Sequence, residues 1–166
     1  MSEKSTNKYA IVDLEATSAS STACIIQVGI VIMQNGRVID EFASDVNPHQ
    51  KLDNHIVHLT GITDQQLSQA PDFSEIARTI FELIEDCIFV AHNVKFDANL
   101  LAEALFMEGF ELRTPRVDTV ELAQVFYPTL EQYNLSYLSR VLNLDLAQAH
   151  TAIEDARATG KLLLHL

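Results

Sequence analysis

Two carboxylates stand two residues apart in Ile11-Val12-Asp13-Leu14-Glu15, beside a run apolar enough for a buried strand. Acidic residues are depleted from strands, so something must compensate for them here. In extended chain, residues i and i+2 share a face, which sets the Asp13 and Glu15 carboxyls side by side and turns Val12 and Leu14 the other way. Two such groups repel and raise each other's pKa, and a shared divalent cation stabilises both. A strand ending at a solvated edge would also accommodate the pair. The pattern becomes specific only with partners from elsewhere in the chain.

Two later segments offer such partners. Asp97 closes His92-Asn93-Val94-Lys95-Phe96-Asp97, which follows a short apolar strand and opens a helix, the place where α/β sheets put ligands. An ordinary first-turn acid, favoured by capping and the helix dipole, would read the same way. In His150-Thr151-Ala152-Ile153-Glu154-Asp155, Thr151 is the expected N-cap, His150 precedes it and Asp155 is the fourth helical residue. Those flanking positions usually hold a hydrophobic staple, and a His and an Asp stand there instead. Both facing water on a surface helix is the plainer alternative.

The elements that would carry these residues follow from periodicity and turn chemistry. Tyr9 to Glu15, Cys24 to Met33 and Val38 to Val46 read as strands, and Asn35-Gly36 marks a type I′ hairpin, so the chain begins with an antiparallel meander. Helical period begins at Thr63; Thr63 with Gln66 and Asp72 with Glu75 have capping-box spacing, and Phe73 to Glu85 has one apolar face. Strands at Ile88 to Ala91 and Arg116 to Asp118 alternate with helices at Asp97 to Glu108, closed by Gly109, and at Thr119 to Tyr127. Asn134 caps a short helix through Leu142, and Thr151 starts a last one. The expected class is α/β: a mixed sheet of three antiparallel strands plus parallel ones, flanked by helices.

At 166 residues the chain suits one domain, read as a polar N-terminal arm over residues 1–8 and a single unit over 9–166. The arm has no signal-peptide core and no later run has spanning length, which predicts an intracellular, cytoplasmic protein with no membrane partner. Lys161-Leu162-Leu163-Leu164-His165-Leu166 is an apolar helical run without a C-cap, which suggests the N-terminal part of a longer protein. Cys24 and Cys87 lie in apolar runs and make no zinc or disulfide pattern. His55 and His58 have helical spacing but no third ligand and read as surface or packing residues; His49 and His165 carry no pattern. The net charge of −12 argues against tight, salt-driven binding along a long nucleic acid, unless cations gather the carboxylates or a basic neighbour supplies affinity.

Taken in order, Asp13-x-Glu15, Asp97 in its His-Asn-x-x-Phe-Asp context and His150-x4-Asp155 closely resemble the motifs of the DnaQ-like DEDDh exonucleases, over nearly the whole chain. Leu59-Thr60-Gly61-Ile62-Thr63 resembles the family's substrate-side turn, and Arg116-Val117-Asp118-Thr119 a strand end in which Asp118 is expected to cap a helix. Where the family often has Gly after the first-motif Thr, Thr17 is followed by Ser18-Ala19-Ser20-Ser21, which bears on the shape of the terminal-nucleotide pocket. The arrangement is most similar to exonuclease domains attached to DinG-like helicases, and less so to polymerase proofreading subunits.

The resemblance implies an RNase H-like fold and metal-dependent 3′→5′ hydrolysis of phosphodiesters, with DNA favoured, releasing nucleoside 5′-monophosphates. It implies two divalent cations, Mg²⁺ or Mn²⁺, held by Asp13, Glu15 and Asp155, with Asp97 acting through bound water and His150 as general base rather than ligand. It puts Ala16, Thr17, Leu59, His92, Asn93 and Phe96 near the last nucleotide of a single-stranded or frayed 3′ end, Phe96 either stacking on a base or packing in the core. Covalently attached helicase or polymerase domains are the implied partners. Two other readings are a catalytically silent module that binds nucleic acid or docks a helicase or polymerase, which retention of all five side chains opposes, and an RNase H-like endonuclease or strand-transfer domain, which internal cutting would reveal.

Overall fold

The computed structural model describes residues 7–18, 20, 22–144 and 151–166. Asn35 and Gly36 both take positive φ, 55° and 75°, the two left-handed positions a type I′ turn needs, and they join β2 (Ile25–Gln34) to β3 (Arg37–Asp45) in antiparallel register. β1 (Lys8–Ala16) pairs antiparallel with β2 on one side and parallel with β4 (Ile88–Ala91) on the other; β5 (Arg116–Asp118) extends the parallel side. The sheet order is β3-β2-β1-β4-β5, so β1 is central and the expected mixed sheet is present.

Helices cover both faces. On one side α3 (Phe73–Ile84) and α4 (Val94–Met107) pack on Ala10, Val12, Leu14, Val28, Ile30 and Ile32. The reciprocal capping box of Asp72 and Glu75 sets the start of α3 as its spacing predicts. On the other side α7 (Ala152–His165) lies over Ile11, Val31, Met33 and Val90, with α5 (Thr119–Phe126) and α6 (Leu135–Val141) clustering around its Leu162. α7 can sit this low because Gly29 has no side chain: a Cβ there would fall 2.3 Å from the Ala152 backbone carbon.

Two boundaries differ from the sequence reading by more than one residue. Helical structure begins before Thr63, with α1 (Asn54–Thr60) ahead of α2 (Asp64–Ser68). α1 was hidden because only Ile56 of its residues is buried, too few to establish a period. α4 starts at Val94 rather than Asp97, because Asn93 adopts φ 78° and turns the chain directly from β4 into the helix. Among the described residues no helix is long and apolar enough to cross a membrane.

Candidate active site

The site gathers at the carboxyl end of β1. Asp13 and Glu15 leave the same face as Ile11, toward α7, as alternation requires. Thr151 caps α7 by accepting from the Glu154 N–H at 3.3 Å, and the first turn that follows carries Asp155. Asp13, Glu15 and Asp155 each offer a carboxylate oxygen within 4.8 Å of the others. Asp97, at the first turn of α4, approaches from the adjoining layer and is buried; its Oδ1 accepts the Leu14 N–H at 3.1 Å, so the backbone between Asp13 and Glu15 is tied to α4.

Burial and mutual repulsion leave Asp13, Glu15 and Asp97 reluctant to ionise. Burial raises the Asp13 carboxyl well above its ordinary range, and Asp97, Glu15 and Asp155 push it further. Glu15 is lifted to about 7 by burial and then by Asp155. Burial lifts Asp97 to about 8 against the opposing hydrogen bond from Leu14. Asp13 Oδ2 is buried with no hydrogen-bond partner among the described residues. A buried, unpartnered carboxylate oxygen facing other acids is what a cation would satisfy, and an all-oxygen donor set suits a hard divalent ion. The residues therefore fit such an ion.

Four of the residues expected near a terminal nucleotide, Ala16, Thr17, Leu59 and Phe96, line one cavity of about 420 Å³ together with Glu15. Leu59 projects into it from the end of α1 with 67% of its surface exposed, an arrangement poor for packing and open to a flat apolar ligand. Phe96 also lines a neighbouring cavity of about 370 Å³, where Asn93 and Lys95 are found. His92 lines neither of these. Its Nε2 donates to the Tyr133 carbonyl at 2.6 Å and its Nδ1 meets Thr119 Oγ1 at 2.8 Å, so the ring ties β4 to α5 and the segment before α6. Burial lowers its pKa, which favours the neutral ring those contacts suit. Asp118 caps α5 through the Val120 N–H at 2.9 Å, as expected, and the same oxygen accepts the Asn93 N–H at 2.9 Å. His150 lies outside the described residues.

Sequence reasoning passed over Asp53 and His55, which line the cavity from α1 and its N-cap. The spacing of His55 and His58 hinted at a helix face; only His55 reaches the cavity.

A family model described as exonuclease, RNase_T, matches residues 10–163. The 3′-5′ exonuclease DinG of Staphylococcus aureus (strain USA300) is 40% identical over 158 residues, covering 94% of this chain and 18% of that protein, so the chain spans less than a fifth of the length of the curated relatives it matches. Among solved structures, the zinc-ion-bound form of the Escherichia coli exonuclease I–ssDNA complex superposes with a TM-score of 0.85 at 17% identity, over 96% of this chain and 40% of that one. The nuclease domain of 3′hExo, a DEDDh family member bound to rAMP, gives 0.81 at 17% identity, over 98% and 93% of the two chains. Exonuclease X in complex with 5′ overhanging duplex DNA gives 0.76 at 20% identity, over 95% and 89%. At such identities these structures show the shared fold.

Proposed function

The chain belongs to the exonuclease family, and from that premise we propose that it is a metal-dependent hydrolase that removes nucleoside 5′-monophosphates from the 3′ end of DNA. The observation that carries this reading is the trio Asp13, Glu15 and Asp155, with an Asp13 oxygen that has no hydrogen-bond partner among the described residues. In it Asp13, Glu15 and Asp155 would hold Mg²⁺ or Mn²⁺, with Asp97 acting through water. Two such ions supply an activated water and neutralise charge on the attacking and leaving oxygens.

The chain's own residues do the rest. Leu14 N–H holds Asp97 beside the cluster, and the α7 cap holds Asp155. His150 is proposed to take the proton of the attacking water, a role worth about 10²–10⁴-fold. The Ala16, Thr17, Leu59 and Phe96 cavity receives the last nucleotide, with Phe96 available to stack on any base, which predicts weak sequence preference. His92 acts indirectly, by fixing the end of β4, and Asn93 by opening α4 toward the site. Residues 9–166 work as one exonuclease domain of a longer, helicase-linked cytoplasmic protein; the support is a relative of which the matched segment is 18%. A neighbouring domain would also supply the affinity that a chain of charge −12 lacks.

The test is incubation of 3′- and 5′-labelled DNA and RNA oligonucleotides with Mg²⁺ or Mn²⁺, beside an Asp13→Ala, Glu15→Ala control. Stepwise shortening from the 3′ end with mononucleotide release is expected. Internal fragments, or equal degradation by the control, would overturn the reading.

A further inference from the structure

Three polar side chains stand in one cross-strand row: Glu15 on β1 is paired with Gln27 on β2, and Gln27 with Asp45 on β3. Partners directly opposite one another share a face, here the face α7 covers. The Gln27 amide is engaged at both ends. Its Nε2 donates to Asp45 Oδ1 at 2.8 Å, and its Oε1 accepts the Ala152 N–H at 2.8 Å.

Ala152 is the first residue of α7, so its N–H has no intrahelical acceptor. The N-cap Thr151 accepts from Glu154, and Gln27 accepts from the amide that Thr151 does not reach. An amide side chain can be flipped, but a carboxylate only accepts, so Asp45 forces Nε2 toward itself and Oε1 toward the helix. The second Asp45 oxygen accepts from Gln66 Nε2 of α2 at 2.8 Å, which holds Asp45 in turn. Next to this row on β2 is Gly29, against whose backbone Ala152 rests with no side chain between to set its height or direction.

We propose that Gln27, oriented by Asp45, is a positioning residue of the acidic site: by accepting the Ala152 N–H it fixes the start of α7 over β2 and so sets Asp155 against Asp13 and Glu15. The functional half of this rests on reading that cluster as a metal site. Gln27 touches neither substrate nor ion in this scheme; it acts through the helix, and its loss changes how well three carboxylates converge.

The test uses the full chain, with Mn²⁺ titrated into the metal-free protein by calorimetry, exchange of the Ala152 amide followed by NMR, and steady-state kinetics on a DNA oligonucleotide. Gln27→Leu keeps the volume and removes the acceptor. It should weaken Mn²⁺ binding about tenfold, the lower end of the range for losing a group that orients a ligand, and speed Ala152 exchange at least as much. At fixed low Mn²⁺, kcat should fall while KM for the oligonucleotide stays within about twofold, since the nucleotide cavity is untouched.

Gln27→Glu alone sets two carboxylates against each other and should be impaired. Combined with Asp45→Asn the row is rebuilt with its polarity exchanged: the new carboxylate accepts from Ala152, and the new amide donates to it while accepting from Gln66. Recovery of Mn²⁺ affinity and Ala152 protection in this double variant is expected, and a merely structural side chain would not give it. Wild-type Mn²⁺ affinity and exchange in Gln27→Leu, or a double variant no better than Gln27→Glu, would overturn the proposal. If the unaltered protein binds no Mn²⁺, the metal reading fails, and Ala152 exchange alone decides whether Gln27 holds α7.

Discussion

Along β1 the even-numbered residues Ala10, Val12 and Leu14 are all buried in the α3/α4 layer, whereas the odd-numbered face runs from half-buried Tyr9 and buried Ile11 to Asp13 and Glu15. One strand thus serves two environments. The even face gains free energy by leaving water, at about 25 cal/mol per Å² of apolar surface. The odd face holds carboxyls whose ionised forms are opposed by burial and by each other. A fold that keeps such groups close together without a cation gives up stability at that spot, and a ligand that neutralises them returns it. Stability and chemistry should therefore separate cleanly by face.

The largest expected effect is on the odd face. Asp13→Asn keeps the shape and removes the charge, so exonuclease activity at saturating Mg²⁺ should fall by about 10³-fold, as for loss of several kcal/mol of transition-state stabilisation. The metal-free variant should nevertheless melt higher than the unaltered protein at pH 8, because a carboxylate opposed by burial and by Asp97, Glu15 and Asp155 is gone. Calorimetric melting with and without Mg²⁺ checks both halves. A variant that melts lower in both conditions would mean that Asp13 supports the fold.

Ile80→Ala, in the layer that covers the even face, is the opposite case. Ile80 is fully buried, and truncation should cost about 2–5 kcal/mol of stability, lowering the melting temperature by about 5–15 °C. Activity well below the melting temperature should stay within about twofold. A large loss of kcat in a folded sample would show that the two faces are coupled.

The third effect is a pH dependence confined to the odd face. Glu15 and Asp97 have folded-state values raised from 4.5 to about 7 and from 3.8 to about 8, so between those limits the folded protein binds more protons than the unfolded one. Their favourable contribution is complete below about pH 4 and lost as pH rises through 7 to 8. Metal-free protein should lose melting temperature over that window, and saturating Mg²⁺ should flatten the profile. Metal binding near pH 7 should also release protons, visible as a binding enthalpy that changes with the ionisation enthalpy of the buffer. A flat metal-free profile would sink the idea that these acids are frustrated.

How much of this could be read in advance differs between the two faces as well. The even face, the Asn35-Gly36 hairpin and the Asp72, Asn134 and Thr151 caps are local signals, legible because each rests on a few neighbouring residues. Asp13 and Glu15 stood out as acids beside an apolar strand and Asp155 as an acid at a staple position, whereas Asp97 read equally as an ordinary first-turn acid; the convergence of the four is a tertiary fact. What was missed is tertiary too. A glycine within a strand, such as Gly29, is a general sign of a close backbone approach, yet nothing local names Ala152 as what approaches. Gln27 is one polar residue in an apolar strand, and only the pairing with Asp45 and the Ala152 N–H gives it a job. For His92, expected beside the nucleotide from its place in a motif, no local pattern names the partners it bonds, Thr119 and Tyr133, 27 and 41 residues away.

The smallest effect concerns a second tie between α7 and the sheet. Arg157, two residues after Asp155, donates from Nε and Nη2 to the two oxygens of Glu41 on β3 at 2.9 and 2.7 Å. The fork is well formed, and its hydrogen bonds hold the Glu41 carboxyl below its ordinary range, so whatever stability it adds is present above the unfolded-state pKa and lost as pH falls through the lowered one. Both side chains are substantially exposed, at 49% and 33%, and a solvated pair of this kind is worth about 0.2–1 kcal/mol. Glu41→Gln should therefore lower the melting temperature near pH 7 by no more than about 4 °C, with the difference from the unaltered protein vanishing at acid pH and shrinking in salt. Unlike Gln27, Arg157 acts on α7 downstream of the turn that bears Asp155, so Mn²⁺ affinity should not move. If Glu41→Gln weakened Mn²⁺ binding as much as Gln27→Leu, the helix would be positioned along its length rather than at its first amide, and the division between a supporting face and a working face would have to be redrawn.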